Sequence, residues 1–234
     1  MSATFVAKTE GDTGVAAATS VVVTMPSPIT AGDRLVVAIQ WDFGFGTITP
    51  PAGWTLLASQ TQGGHLRYYT RKATGSEAAT YTWTWTTGSS AVWACVLYTA
   101  LTKPDDGWDT CDIGVPTGSG GSPYGAVMYG RLAYTKNILY VYAFGAAGGA
   151  IGTLTAPFLN IRVNRGFVGT SYTMFLVVGE LVGAESPYFY APRVRWSSTG
   201  VATGGTFLVN QETTVDGPTA DPVLGIDHWS WTDT

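Results

Sequence analysis

Two glutamates, Glu77 and Glu185, end similar stretches, Ala73-Thr-Gly-Ser-Glu77 and Leu181-Val-Gly-Ala-Glu185. A pair of carboxylates can cleave a glycosidic bond, one protonating the leaving oxygen while the other attacks or activates water. That reaction needs one defined separation. A carboxylate repeated at a repeated turn is more simply an acceptor of local hydrogen bonds. Asp105, Asp106, Asp109 and Asp112 crowd one segment, and oxygen-rich loops can hold calcium. Their spacing follows no calcium-loop pattern, so they read as a solvated acidic turn. His65 and His228 have no His or Cys close by in sequence, which argues against zinc. There is no Gly-x-Ser-x-Gly elbow, no phosphate-binding glycine loop and no His-Glu-x-x-His. The expectation is a protein without catalytic residues, cofactor or metal.

Binding chemistry rests on aromatic rings. Phe43 and Phe45 flank Gly44, and Trp54 closes Pro50-Pro-Ala-Gly-Trp54. Such rings can stack on sugars, which makes these three the candidate glycan-stacking residues. Large aromatics also dominate β-cores, and Trp54, opening a strand, fits core packing better. Asp227-His-Trp-Ser-Trp231 lies close to the last residue, and His228, Trp229 and Trp231 are the candidate partner-docking residues. Buried tryptophans commonly anchor interfaces. Of the two cysteines, Cys95 sits in an apolar run and reads as a small buried hydrophobe, while Cys111 lies among the acidic residues. No disulfide between them is expected in a reducing compartment.

The elements that would position these groups are strands. In the 234 residues, charged side chains make up only 12%, against 30 Gly, 9 Trp and 12 Tyr. Glycine-rich turns between threonine and aromatic runs predict an all-β chain. Strands are expected at 20–25, 34–41, 55–61, 66–72, 80–86 and 92–99. In the second half they are expected at 126–134, 138–144, 160–164, 172–180, 193–197 and 206–211. Thr80-Tyr-Thr-Trp-Thr-Trp-Thr86 alternates strictly, so its aromatics face one side and its threonines the other. Gln62-Gly-Gly64 and Thr87-Gly-Ser-Ser90 read as turns.

The order of landmarks repeats. Asp33 to Asn137 spans 104 residues, Thr47 to Thr153 106, Glu77 to Glu185 108 and Trp85 to Trp196 111. A steady drift in one direction marks a duplication. The expected architecture is an antiparallel β-sandwich of jelly-roll type built from two similar halves. It occupies 1–211, with halves at 19–101 and 126–211 and a Gly/Pro/Asp-rich seam at 103–125. An irregular arm follows at 212–234. A duplicated scaffold points to a building block more than to one active site.

Net charge is −4 with no Lys/Arg cluster, which excludes a nucleic-acid footprint. The uncharged stretch 137–161 is interrupted by Gly145, Gly148, Gly149 and Gly152 and aligns with strands of the first half, so no membrane span is expected. The N-terminus shows no basic region followed by a long apolar core, and no signal peptide is expected. So few charges leave an exposed surface poorly solvated, which suggests that neighbours cover part of it.

The run Gly32-Asp-Arg-Leu-Val-Val-Ala-Ile, then Pro51-Ala-Gly-Trp-Thr-Leu56, Arg71-Lys-Ala-Thr-Gly-Ser-Glu77 and Tyr81-Thr-Trp-Thr-Trp85 resembles a domain of tailed-bacteriophage virion proteins, of the capsid-decoration and tail-fibre type. The resemblance covers about 19–101, and the second half more loosely. There Ala156-Pro-Phe158 replaces the Pro-Ala-Gly-Trp corner. It implies a virion structural protein, synthesised in the host cytoplasm, that docks on capsid or tail proteins and on sister copies as a homo-oligomer, a trimer by preference. A head-decoration role is the first expectation. A tail-tip or fibre component, or a carbohydrate-binding module that attaches to host-surface glycans, is the alternative. The resemblance carries no catalytic residues.

Overall fold

The computed structural model describes residues 4–42, 46–60, 65–99, 124–127, 139–147, 154–155, 160–169, 173–182 and 193–196. The described chain is all-β. Its strands are β1 (Thr4–Asp12), β2 (Ala18–Thr24), β3 (Arg34–Trp41), β4 (Ile48–Thr49), β5 (Thr55–Gln60), β6 (His65–Lys72), β7 (Thr80–Ser89) and β8 (Ala91–Thr99). The second half supplies β9 (Tyr124–Val127), β10 (Leu139–Ala147), β11 (Leu154–Thr155), β12 (Asn160–Val168), β13 (Thr173–Val182) and β14 (Arg193–Trp196). Every pairing is antiparallel.

The central sheet has five strands in the order β1-β8-β3-β6-β5. All of β3 is buried, and so are Ala91 to Tyr98 of β8. Continuous apolar runs of this kind belong to strands covered on both faces. One face, carrying Leu35, Val37, Ile39, Trp41 and Tyr69, packs on the β2-β7-β4 sheet through Val21, Val23, Trp83 and Trp85. The opposite face, carrying Val36, Ala38, Leu66, Tyr68, Ala94 and Val96, packs on the β10-β13-β12 sheet through Val163, Phe167, Met174, Leu176 and Val178. The sandwich therefore has three layers here, with the middle one shared.

Strand order records the duplication. β3-β6-β5 recurs as β10-β13-β12, and β2-β7-β4 recurs as β9-β14-β11. Ile48 faces Trp85 across β4 and β7, and Leu154 faces Trp196 across β11 and β14, the equivalence read from sequence. A β-bulge recurs as well, between Leu56 and Ala58 against β6 and between Ile161 and Val163 against β13. The described parts of the uncharged stretch 137–161 are β10, β11 and the start of β12, and no helix among the described residues is long and apolar enough to cross a membrane.

Two features depart from the expected pattern. β1 was not anticipated: only Phe5, Val6 and Ala7 are strongly apolar in it, and its place at the sheet edge leaves the rest half exposed. Gly11 lies opposite Trp93, and a Cβ there would come within 2.6 Å of the indole ring, so the glycine makes room for it. The turn expected at Thr87–Ser90 is narrower, because β7 runs on to Ser89 and β8 begins at Ala91. Residues 103–123 of the seam, the strand expected at 206–211 and the arm lie outside the described residues, while Tyr124 and Gly125, expected in the seam, open β9.

Candidate functional site

The densest polar arrangement among the described residues sits at one rim of the sandwich. It is built from the end of β6, the start of β7 and the loop between them. In β6, Arg71 shares a face with Tyr69, two residues before it, and this face looks toward the β2-β7-β4 sheet. In β7, Tyr81 shares the inward face of Trp83 and Trp85, while Thr80, Thr82, Thr84 and Thr86 are exposed. Both polar side chains thus reach the rim of the same interior. The connecting segment is anchored to the turn before β3. Gly32 donates its amide to Ala73 O at 2.8 Å and Ala73 donates to Asp33 O at 2.8 Å. Asp33 in turn accepts from the Thr30 amide at 2.8 Å.

Glu77 closes the arrangement. Its Oε2 accepts from Arg71 Nε at 2.7 Å and from the Tyr81 hydroxyl. Its Oε1 accepts from the Thr74 amide at 2.8 Å and the Thr74 hydroxyl at 3.0 Å. The Glu77 side chain is 2% exposed. Arg71 also donates through Nη1 to Ala52 O at 3.2 Å and lies 5.2 Å from the Tyr81 ring centre. Gly53 has φ +80°, and a Cβ on it would stand 2.0 Å from Arg71 Nη1. The Pro-Ala-Gly-Trp corner therefore needs its glycine for the backbone, and a side chain there would also push the end of Arg71 aside.

Burial works to raise the Glu77 carboxyl. The hydrogen bonds from Tyr81, the Thr74 amide, Arg71 and the Thr74 hydroxyl outweigh it and hold the group down to about 2. The same contact with Glu77, together with burial, pushes the Tyr81 phenol up. A carboxylate held ionised with both oxygens occupied has no proton to donate and no lone pair aimed at a substrate. Glu77 is a structural clasp that ties the β4–β5 corner to the β6–β7 loop. Glu185 lies outside the described residues.

The clasp makes an acid-stability prediction. The folded group titrates well below the ordinary glutamate value, so its contribution is complete above about pH 4.5 and is lost as pH falls toward 2. With solvent screening at the rim, the contribution is about 1–2 kcal/mol. Urea titrations at pH 7 and pH 3 should show a stability loss in the wild type that is smaller in Glu77→Gln by about half of this amount or a little more, the rest being lost only nearer pH 2. An equal loss in both proteins would remove Glu77 as its source.

The other candidates fall as follows. Trp54 is 6% exposed. Its ring meets Tyr81 edge-on at 5.5 Å and Trp83 at 5.0 Å, so it is a core residue and offers no open face to a sugar. Its removal from the glycan-stacking set follows from the β5 start placing it inside the sandwich. Phe43, Phe45, His228, Trp229, Trp231, Cys111 and the acidic segment 105–112 lie outside the described residues. Cys95 is free and fully buried, and burial pushes its thiol up, which leaves it unreactive. Among the described residues no group of three His, Cys, Asp or Glu could hold a metal ion.

Sequence reasoning passed over several polar links. Arg71 and Tyr81 were visible only as parts of a motif, and their partnership with Glu77 depends on the two strands meeting. Arg165 of β12 pairs with Asp12 of β1, and the Arg162 guanidinium lies 4.0 Å from the Phe5 ring centre. These contacts join residues from opposite ends of the described chain, and no local signal announces them. No family model matches the chain, and no curated protein or solved structure matches it either.

Proposed function

We propose that the chain is a bacteriophage virion structural protein, a head-decoration or capsid-accessory protein that docks on capsid subunits and on sister copies. The observation that carries this reading is the outward face of the β2-β7-β4 sheet. Ser20, Val22, Thr24, Thr49, Thr80, Thr82, Thr84 and Thr86 are all exposed there, and not one is charged. Val22 is 53% exposed at the middle of the face. A sheet face left to solvent ordinarily carries lysines and glutamates, which solvate it and block association. An uncharged threonine face suits contact with a flat partner. The resemblance of 19–101 to virion domains supports the same reading, and in it the arm with His228, Trp229 and Trp231 serves as a second docking element.

The test places charge on the face without touching the core. Thr82→Lys/Thr84→Lys should fold normally, because both side chains point outward, and should lower incorporation into phage particles at least tenfold. Incorporation is read by quantitative mass spectrometry of purified virions, with immunogold labelling to place the protein. Unchanged incorporation, or labelling confined to the tail, would overturn the decoration role.

A further inference from the structure

Strand register fixes which residues of the two halves correspond. The shared bulge sets Leu56 against Ile161 and Ala58 against Val163, and in the neighbouring strand it sets Tyr69 against Gly179 and Tyr68 against Val178. Leu66 then corresponds to Leu176. Leu66, Tyr68, Leu176 and Val178 all belong to one buried cluster, the layer between the central sheet and the β10-β13-β12 sheet. The two halves therefore meet through the same face of the same sheet. Two like faces can oppose one another only if one half is turned over relative to the other.

The order of the facing strands specifies the turn further. β1 contacts β12, β8 contacts β12 and β13, and β3 contacts β13 and β10. β10 also contacts β6. Exchanging each strand for its counterpart converts the contact of β3 with β13 into that of β10 with β6, and both exist. The contact of β3 with β10 converts into itself. A reciprocal pattern around one self-paired contact is the mark of an isologous interface. A tandem stack would instead bring unlike faces together.

We propose that the halves are related by a two-fold axis passing between β3 and β10, so that the chain is a fused dimer. The interaction surface is the outer face of β3-β6-β5, and the partner it fits is the equivalent face of its own repeat. This goes beyond the virion reading and does not depend on it. The two-fold directs the β2-β7-β4 sheet and the β9-β14-β11 sheet to opposite outer sides of the molecule. Their chemistry is not the same: the register positions of Thr82 and Thr84 in β7 are held by Arg193 and Arg195 in β14. A symmetric frame thus presents one uncharged side and one side bearing arginine positions.

The intact chain can be tested by distance measurement between paired spin labels, in a Cys111→Ser background with the buried Cys95 retained. Thr82 corresponds to Arg193 and Thr49 to Thr155. A two-fold requires that labels at 82 and 155 give the same distance distribution as labels at 193 and 49. Labels at 20 and 195 against 124 and 84 form a second, independent set, which carries the test if either label of the first disturbs the fold by circular dichroism. Matching distributions within a set are the expected result. Two clearly different distances within a folded set would mean a translated or screw-related stack and would overturn the proposal.

Discussion

Trp83→Ala should lower the unfolding free energy by about 3–5 kcal/mol, among the largest effects of any single truncation in the first half. Trp83 is 0% exposed. Its ring stands 5.0 Å from that of Trp54 and 5.6 Å from that of Tyr69, so it joins β7 to the β5 corner and to the central sheet at once. Edge-on aromatic pairs add to the loss of buried area. The cavity cannot close easily, because its walls are the faces of two sheets held apart by Trp41, Trp85 and Trp93. Urea unfolding followed by far-UV circular dichroism measures the effect independently of tryptophan emission. A loss below about 1 kcal/mol, the typical cost of an ordinary substitution, would show that the layer is not packed as described.

Leu176→Asp should be comparably severe, at about 4–5 kcal/mol, and for a different reason. Leu176 is 0% exposed in the layer between the central sheet and β13. The substitution removes a packed side chain and buries a carboxylate; Arg165, its cross-strand neighbour on β12, is already paired with Asp12, so the cost goes beyond that of a simple truncation. Val22→Asp is the control. It introduces the same group on a face where the side chain is already 53% exposed, and should change stability by no more than about 0.5 kcal/mol. Equal tolerance of the two changes in parallel urea titrations would mean that the second half does not cover the central sheet.

The sequence was most legible where period-two alternation met one buried face. Thr80 to Thr86 announced both its strand and the side each residue faces, because β7 lies in an outer sheet with solvent on one side. The repeat was legible because sheet topology preserves landmark order even where side chains differ. β3 and β8 were legible as strands but not as a middle layer. An unbroken apolar run reports burial on both faces without naming what covers either. β1 escaped because an edge strand half exposed to water needs few apolar residues. At the rim, Glu77 could be read as an acceptor from its place after Gly-Ser. Its donors could not, since Arg71 and Tyr81 come together only when the sandwich closes. Trp54 was correctly weighted toward packing, because a tryptophan opening a strand after a Pro-Gly corner has its ring delivered inward.

The edge position of β1 also bears on how the chain is made. Thr4 pairs with Thr99 and Asp12 with Val92, so β1 has no strand partner until the last strand of the first half has been synthesised. At about 5–20 residues per second, β1 waits on the order of 5–20 s for β8. β3 must likewise hold for β6 before its first ladder forms. Contacts this distant in sequence fold slowly, and the open edge of β8 stays available until β1 is seated. β1 therefore precedes every other strand of its sheet in the chain and is among the last to enter it.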